Sequence, residues 1–262
     1  MNMNIRKYGK PPFRVAVLHG GPGAPGYMAP VARELSKKRG ILEPLQTSDS
    51  LEGQVAELKD QLVHHADTPV ILIGSSWGAV LALFFASQFP ELVSKLILIG
   101  SAAFDRKNSE KIEAIRMARL TADERRRYDE LSAKLEHASG QNKAMIAGEW
   151  GRILFRTDMY NPLRDDTETL EVQFDINRKV WADFVVLRDK PGFLKERFSR
   201  IKVPVVIIHG DYDPHPVEGI RPFLEECLPD THFYLLSKCG HYPWLERHAY
   251  KYFYDILERE LQ

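Results

Sequence analysis

The chain has 262 residues with 36 basic and 36 acidic side chains, so it has no net field to attract nucleic acid or an anionic membrane. No apolar stretch reaches the roughly 20 residues that a membrane helix needs, and the N-terminal stretch MNMNIRKYGKPPF lacks the apolar core of a signal peptide. We therefore expect a cytoplasmic protein without nucleic-acid or membrane partners. Cys227 and Cys239 lack a CxxC spacing, which favours two buried thiols over a disulfide.

Short apolar runs alternate with helical patterns over the N-terminal part of the chain. Strands are predicted at 14–18, 41–45, 70–73 and 95–99, and helices at 29–38, 51–65 and 79–88. The same alternation returns near the C-terminus, with strands at 205–208 and 231–236 and helices at 217–227 and 244–261. Strands that are apolar on both faces and alternate with helices indicate a parallel sheet covered on both sides.

The alternation stops between the strands predicted at 95–99 and 205–208. Stretches such as EKIEAIRMARL, ADERRRYDELSAKL and NRKVWADFVVLR favour helices, and no clear strand pattern interrupts them. We interpret 103–200 as a helical insertion into a core formed by 1–102 and 201–262.

One short motif predicts a nucleophile. Gly74-Ser75-Ser76-Trp77-Gly78 fits G-x-S-x-G, follows a predicted strand and opens a predicted helix, as a nucleophile elbow requires. Small flanking residues permit the sharp turn, and the helix N-terminus favours developing negative charge beside Ser76. A glycine turn needed only for packing is the alternative.

A serine hydroxyl needs a base, and the base needs a carboxylate to orient it. His241 follows the last predicted strand in CGHYPWLE, and Asp213 follows the strand at 205–208 in HGDYDPHP. The order Ser76, Asp213, His241 is the one expected for a hydrolase built on a parallel sheet. Asp211 is the alternative acid, and Asp213 is preferred because it lies farther out on the loop.

The stretch HGGPG at 19–23 ends the first predicted strand. Its glycines let backbone N–H groups approach a ligand closely, so we expect the N–H groups of Gly21 and Trp77 to form an oxyanion hole. A plain turn is the alternative. Each of these segments follows a strand end, and active sites of open α/β sheets gather there.

Alternating polar residues after the strand at 205–208 could also suggest a metal site. These residues are His209, Asp211, Asp213 and His215. Zinc ligands usually come from several elements with matched geometry, so one strand end followed by a loop rarely supplies a full set. We therefore expect no metal here.

The motifs together resemble the α/β-hydrolase superfamily, and HGGPG with SWGAVLAL is similar to proline iminopeptidases and their relatives. The resemblance implies an α/β-hydrolase fold, in which a mostly parallel central sheet is flanked by helices and a helical cap is inserted at 103–200. It also implies a Ser76–His241–Asp213 triad, no metal and no organic cofactor. The chain departs from those peptidases where ILEPLQTSDS replaces a DQRG-type stretch. Its short N-terminus before residue 14 predicts that one or two edge strands are missing.

The expected cap contains candidates for substrate contacts. Glu149 is a candidate carboxylate for binding an amine, and Trp150, Tyr160 and Trp181 are candidates for an apolar pocket, with packing inside the cap as the alternative. The sequence predicts a serine hydrolase that cleaves an ester or amide bond of a small molecule or short peptide. The alternatives are a proline iminopeptidase-like aminopeptidase, a thioesterase or carbon–carbon hydrolase, and a hydrolase-fold protein that only binds a ligand.

Overall fold

A computed structural model describes residues 4–164, 173–228 and 230–262. Residues 165–172 belong to the insertion predicted at 103–200 and lie outside the described residues, as do residues 1–3 of the predicted core and residue 229.

The described residues form a seven-stranded sheet in the order β1-β3-β2-β4-β5-β6-β7. Its strands are β1 (Ile5–Tyr8), β2 (Phe13–Leu18), β3 (Gly40–Pro44), β4 (Val70–Ser75), β5 (Val93–Ile99), β6 (Val205–Gly210) and β7 (Thr231–Leu236). Strand β1 runs antiparallel to β3, and all the other pairs are parallel. The prediction of a mostly parallel α/β sheet is therefore confirmed.

The two faces of the central strands bury separate apolar layers. In β5, Leu96 and Leu98 pack into one cluster with Phe84 of a covering helix, whereas Ile97 and Ile99 pack into the cluster on the opposite face. Side chains alternate between the faces of a strand, so a continuous apolar run is what a sheet covered on both sides needs. Each such side chain contributes about 1.5–3 kcal/mol when it is fully buried.

Helices cover both faces of the sheet, and further helices lie in the described part of the segment between β5 and β6. The flanking helices are α1 (Ala29–Leu35), α2 (Leu51–His65), α3 (Trp77–Gln88), α10 (Arg221–Cys227) and α11 (Tyr250–Glu260). Between β5 and β6 lie α4 (Arg106–Ser109), α5 (Lys111–Ala118), α6 (Ala122–His137), α7 (Gly140–Thr157), α8 (Phe174–Arg188) and α9 (Phe193–Phe198). None of the described helices combines the length and the apolar character needed to cross a membrane.

Two predictions about the ends of the chain were wrong. The first strand is β1 rather than the strand near residue 14, because a short edge strand with charged residues such as Arg6 carries no apolar run. The helix predicted at 244–261 begins only at Tyr250, and a separate 3₁₀ turn, Pro243–Leu245, precedes it. The two regions are separate because the Glu246 side chain turns inward and is fully buried.

The helix predicted at 217–227 is also divided, into a 3₁₀ turn at Val217–Gly219 and α10. The prediction for the cysteines is confirmed, since both thiols are free and buried.

Candidate active site

Ser76 lies in a strained turn between β4 and α3. Its φ of 53° and ψ of −116° fall in a region that residues with a side chain rarely adopt. Its backbone N–H donates to the carbonyl of Ile99 at 2.8 Å, so the turn is attached to the end of β5. Ser76 is partly exposed, whereas Ser75 and Trp77 on either side are buried.

The two glycines of this motif are required by close backbone approaches. A Cβ atom on Gly74 would overlap the carbonyl of Gly78, and a Cβ atom on Gly78 would overlap the carbonyl of Leu18 at the end of β2. Only glycine permits such contacts. Helix α3 can therefore begin directly against the carboxyl ends of β2 and β4, with Ser76 at the N-terminus of the helix.

The loops after β6 and β7 bring a carboxylate and an imidazole together. Nδ1 of His241 donates to Oδ2 of Asp213 at 2.7 Å, and both side chains are buried. A Cβ atom placed on Gly100 would lie 3.0 Å from each of these two atoms. Gly100 directly follows Ile99, which binds the Ser76 turn, so the three segments meet at the carboxyl end of β5.

The two aspartates after β6 have different hydrogen-bond partners. Asp213 bonds to His241, whereas Asp211 accepts a hydrogen bond from the backbone N–H of Cys239 at 3.2 Å. Asp211 therefore holds the backbone of the loop that carries the histidine, and Asp213 contacts the histidine ring itself.

Burial and charge act in opposite directions on this pair. Burial favours the neutral form of Asp213, yet the neighbouring His241, His209 and His215 hold the pKa of its carboxyl well below the ordinary value. Burial likewise lowers the pKa of His241, but the charge and hydrogen bond of Asp213 outweigh burial and leave that pKa above its usual 6.5. The arrangement can stabilise an imidazolium that forms on His241.

The loop at 19–23 is held by a buried, neutral histidine. Burial lowers the pKa of His19 to about 4. Its Nδ1 lies 3.0 Å from the carbonyl of Gly20, and its Nε2 lies 3.1 Å from the backbone N–H of Gln46, so the network assigns the proton to Nδ1. In a trans peptide the N–H points opposite to the C=O, so this bond directs the Gly21 N–H away from His19.

Gly20 places this loop beside the serine turn. A Cβ atom on Gly20 would lie 2.7 Å from the Cβ of Ser76. The hydroxyl of Tyr27 fills the remaining space and donates to Oγ of Ser75 at 3.0 Å. Trp77 follows Ser76 as the first residue of α3, where backbone N–H groups have no partner within the helix. Gly21 and Trp77 therefore lie on two segments that both border Ser76.

Two of the predicted pocket residues lie among the helices between β5 and β6. Glu149 accepts two hydrogen bonds from Arg127, at 2.7 and 2.8 Å, and its side chain is 39% exposed. Trp150 donates to Oγ of Ser132 at 2.9 Å and stacks on Tyr128. Both side chains thus make contacts between α6 and α7.

The other two candidates differ in their distance from the turn. Tyr160 is 44% exposed and packs against Tyr212 and His248. Trp181 of α8 lies edge-on to Trp77 with the ring centroids 6.2 Å apart. Of the four candidates, Trp181 is in direct contact with the residue that follows Ser76.

A buried carboxylate that sequence patterns did not indicate holds the histidine loop. Glu246 accepts hydrogen bonds from the backbone N–H groups of Gly240, Tyr160 and Asn161, at 2.7, 2.6 and 2.8 Å. The backbone N–H of His241 donates to the carbonyl of Asp158 at 2.8 Å. The segment at 158–163 therefore supports the loop at 240–246, through contacts that no local motif signals.

Asp158 in turn fixes one of the helices between β5 and β6. Arg116 of α5 donates to its carboxylate through Nε and Nη2, at 2.7 and 2.6 Å. Arg119, one turn later, donates to the carbonyls of Thr157 and Tyr212 at 2.7 and 2.9 Å. Helix α5 is thereby tied to the loop that leads to Asp213.

Asp213, His215 and His241 place three atoms of the metal-ligating kind within 4.8 Å of one another. Nδ1 of His241 and Nδ1 of His215 each donate to Asp213, at 2.7 and 2.8 Å. Hydrogen bonds thus occupy both Nδ1 atoms and both oxygens of the Asp213 carboxylate. We treat the group as an acid–base cluster.

A family model described as the alpha/beta hydrolase fold matches residues 47–247. The chain belongs to this family. The match includes the Ser76 turn and the loops that carry Asp213 and His241, and it excludes the HGGPG loop.

The names of the relatives describe different hydrolytic activities. A 2-hydroxy-6-oxo-2,4-heptadienoate hydrolase of Pseudomonas putida is 22% identical over 249 residues, covering 89% of this chain and 84% of the relative. A proline iminopeptidase of Lactobacillus helveticus is 26% identical over 266 residues, covering 91% and 86%. The crystal structure of VinJ superposes with a TM-score of 0.68 at 18% identity, covering 98% of this chain and 93% of that one, which shows the shared fold.

Proposed function

We propose that this α/β hydrolase is a serine hydrolase that cleaves an ester or amide bond of a small substrate through an acyl-enzyme. The observation that carries the proposal is the meeting of three segments at the end of β5. There the strained Ser76 turn is bonded to Ile99, and the buried Asp213–His241 pair packs against Gly100. A partly exposed serine and an oriented imidazole at the end of the same strand are the parts that nucleophilic catalysis needs.

In the proposed reaction, Oγ of Ser76 attacks the substrate carbonyl carbon while His241 accepts the hydroxyl proton. The N–H groups of Gly21 and Trp77 stabilise the negative charge on the substrate oxygen. His241 then gives the proton to the leaving group, and an acyl-Ser76 ester remains. A water molecule, deprotonated by His241, attacks this ester. As the ester bond to Oγ breaks, His241 returns that proton to Ser76, and the acid is released. Asp213 keeps the proton of His241 on Nδ1 throughout, so that Nε2 is available to the reaction.

The expected cap, 103–200, would supply substrate selection. Its contacts support an acyl substrate without a required amine. Glu149, the candidate for binding an amine, is held in an ion pair by Arg127, whereas Trp181 brings an apolar ring to Trp77 beside the nucleophile. Pockets for acyl chains are lined mainly by apolar side chains, so the contact of Trp181 with Trp77 favours an acyl chain or ring.

An aminopeptidase activity is the second candidate. It is favoured by the HGGPG and SWGAVLAL stretches and by the relative named proline iminopeptidase. A panel of p-nitrophenyl acyl esters and aminoacyl p-nitroanilides separates the two candidates. We expect higher kcat/KM values for the esters, and a preference for prolyl p-nitroanilide would favour the aminopeptidase.

Labelling with a fluorophosphonate tests the proposal. The probe is incubated with the wild type and with the His241→Ala and His248→Ala variants, and the adduct is located by peptide mass spectrometry. We expect an adduct on Ser76 in the wild type and in His248→Ala, because His248 is an exposed surface residue. We expect the adduct to be lost in His241→Ala. Absence of a Ser76 adduct in the wild type would contradict the proposal and favour a protein that only binds a ligand.

A further inference from the structure

Asp213 receives hydrogen bonds from two imidazoles. His241 donates to its Oδ2, and the turn after β6 brings Nδ1 of His215 to 2.8 Å from its Oδ1. The backbone N–H of His215 donates to the same Oδ1 at 2.9 Å. The Asp213 side chain is completely buried, so these donors take the place of water around the carboxylate.

The two imidazole rings also lie against each other. The centroids of the His215 and His241 rings are 4.4 Å apart, and the ring planes differ by 22°. Two positive charges at this distance would repel each other strongly in a buried site. Burial and the charge of His241 lower the pKa of His215 to about 4, so His215 is neutral near neutral pH. It therefore donates a hydrogen bond to Asp213 without adding a positive charge.

We infer that His215 is a positioning residue that divides the negative charge of Asp213 between two imidazoles and so limits how strongly Asp213 holds a proton on His241. The inference rests on the proposed function, in which His241 must both accept and release a proton. A carboxylate that already accepts two hydrogen bonds on Oδ1 attracts the proton of its partner on Oδ2 less strongly. Because an efficient acid–base catalyst needs a pKa near the working pH, this limit serves turnover.

Other titratable and charged groups also face this pair. They are His209, Asp158, Arg116, Arg119, Tyr27 and Tyr242. Nε2 of His209 bonds to the carbonyl of His215 at 2.9 Å, and its Nδ1 lies 3.9 Å from Oδ2 of Asp213. Substitution of the His215 side chain leaves all six groups and this backbone carbonyl in place. A difference between two variants at position 215 therefore reports on the Nδ1–H donor.

Two variants with matched bulk isolate that donor. In His215→Asn, the amide Nδ2 occupies the position of the imidazole Nδ1 and can still donate to Asp213. In His215→Leu, the site remains filled but has no donor. NMR titration of ¹⁵N-histidine-labelled protein gives the pKa of His241 directly, and the pH profile of kcat/KM for a p-nitrophenyl ester gives its kinetic counterpart.

We expect His215→Leu to raise the pKa of His241 by about one unit, since Asp213 loses a hydrogen-bond donor on Oδ1 and then attracts the proton of His241 more strongly. The acid limb of the kcat/KM profile should move upward by the same amount, and His215→Asn should keep both values close to those of the wild type. A His241 pKa in His215→Leu that is unchanged or lower would overturn the inference, as would a shift in His215→Asn equal to that in His215→Leu. The NMR titration needs no turnover. Failure of the fluorophosphonate to label Ser76 would therefore count against the proposed function and not against the sharing of charge on Asp213.

Discussion

Replacing Glu246 by glutamine should destabilise the protein and loosen the loop that carries His241. The carboxylate of Glu246 accepts three backbone hydrogen bonds, from Gly240, Tyr160 and Asn161, and it is fully buried. A glutamine of the same shape keeps one oxygen as an acceptor for Gly240 and Tyr160. Its NH₂ group then faces the N–H of Asn161, so that one bond is lost and two donors oppose each other.

The size of the effect follows from these bonds. Hydrogen bonds to a charged group contribute about 1.5–3 kcal/mol and neutral ones about 0.5–1.5 kcal/mol, so the two retained bonds weaken by about 1 kcal/mol each. The unpaired N–H adds about 1–3 kcal/mol of desolvation cost. Removal of a buried charge offsets part of this sum. We therefore expect a loss of about 3 kcal/mol in the free energy of unfolding, or a fall in Tm of about 6–12 °C for a chain of this size.

Thermal unfolding followed by circular dichroism measures the change. Glu258→Gln is a matched control on the same C-terminal region, because Glu258 pairs with Arg39 and Lys38 at a partly exposed site where a salt bridge contributes about 0–1 kcal/mol. Glu246→Gln should also lower kcat/KM about tenfold or more, because a displacement of His241 that costs about 1.4 kcal/mol in the transition state has that effect. A Tm for Glu246→Gln within about 2 °C of that of Glu258→Gln would contradict the predicted loss of stability.

Three further predictions concern the Ser76 turn, His241 and the loop at 19–23. Gly78→Ala should lower the free energy of unfolding by at least about 3 kcal/mol, because the added Cβ would overlap the Leu18 carbonyl. Gly148→Ala, in the interior of α7 where a Cβ meets no other atom, should raise the free energy of unfolding by about 0.5–1 kcal/mol. Urea unfolding of the two variants measures both changes. The value of kcat/KM should fall as the pH falls through the pKa of His241, which lies above 6.5, because only the neutral ring accepts a proton. A stopped-flow pH profile whose acid limb has its midpoint below 6.5 would contradict this. His19→Phe should lower kcat about 10²-fold with little change in KM, because the proposed oxyanion loop loses a bond to the carbonyl of the peptide that carries the Gly21 N–H. Equal kcat values for the variant and the wild type in steady-state assays would argue against that role.

Most strands and helices around the sheet were predictable because each is marked by a local sequence pattern. The apolar runs of β4 and β5 predicted strands that are buried on both faces. Helix α2 has the predicted bounds because its spacing is periodic and Ser50 caps it, with its Oγ accepting from the backbone N–H of Gly53. Strand β1 carries no such signal, since it forms through its pairing with β3.

For the candidate site, the sequence predicted the residues that follow strand ends but not the contacts that support them. The rule that loops meet at the carboxyl edge of a parallel sheet indicated where Ser76, Asp213 and His241 would lie. The supporting contacts of Glu246 depend on which backbone N–H groups approach it from the segment at 158–163, and residue patterns do not encode that approach. His215 was noticed only as a metal-type residue, because its bond to Asp213 depends on the conformation of a turn.

In the proposed reaction an acyl group passes through Ser76. The most direct test is to mix the protein with a p-nitrophenyl acyl ester, quench it with acid during turnover, and locate any acyl group by peptide mass spectrometry. We expect an acyl group on the peptide that contains Ser76, at a level that rises with the burst of p-nitrophenol, and no such group in Ser76→Ala. Sustained release of p-nitrophenol by the wild type with no acyl group on Ser76, or undiminished release by Ser76→Ala, would contradict it.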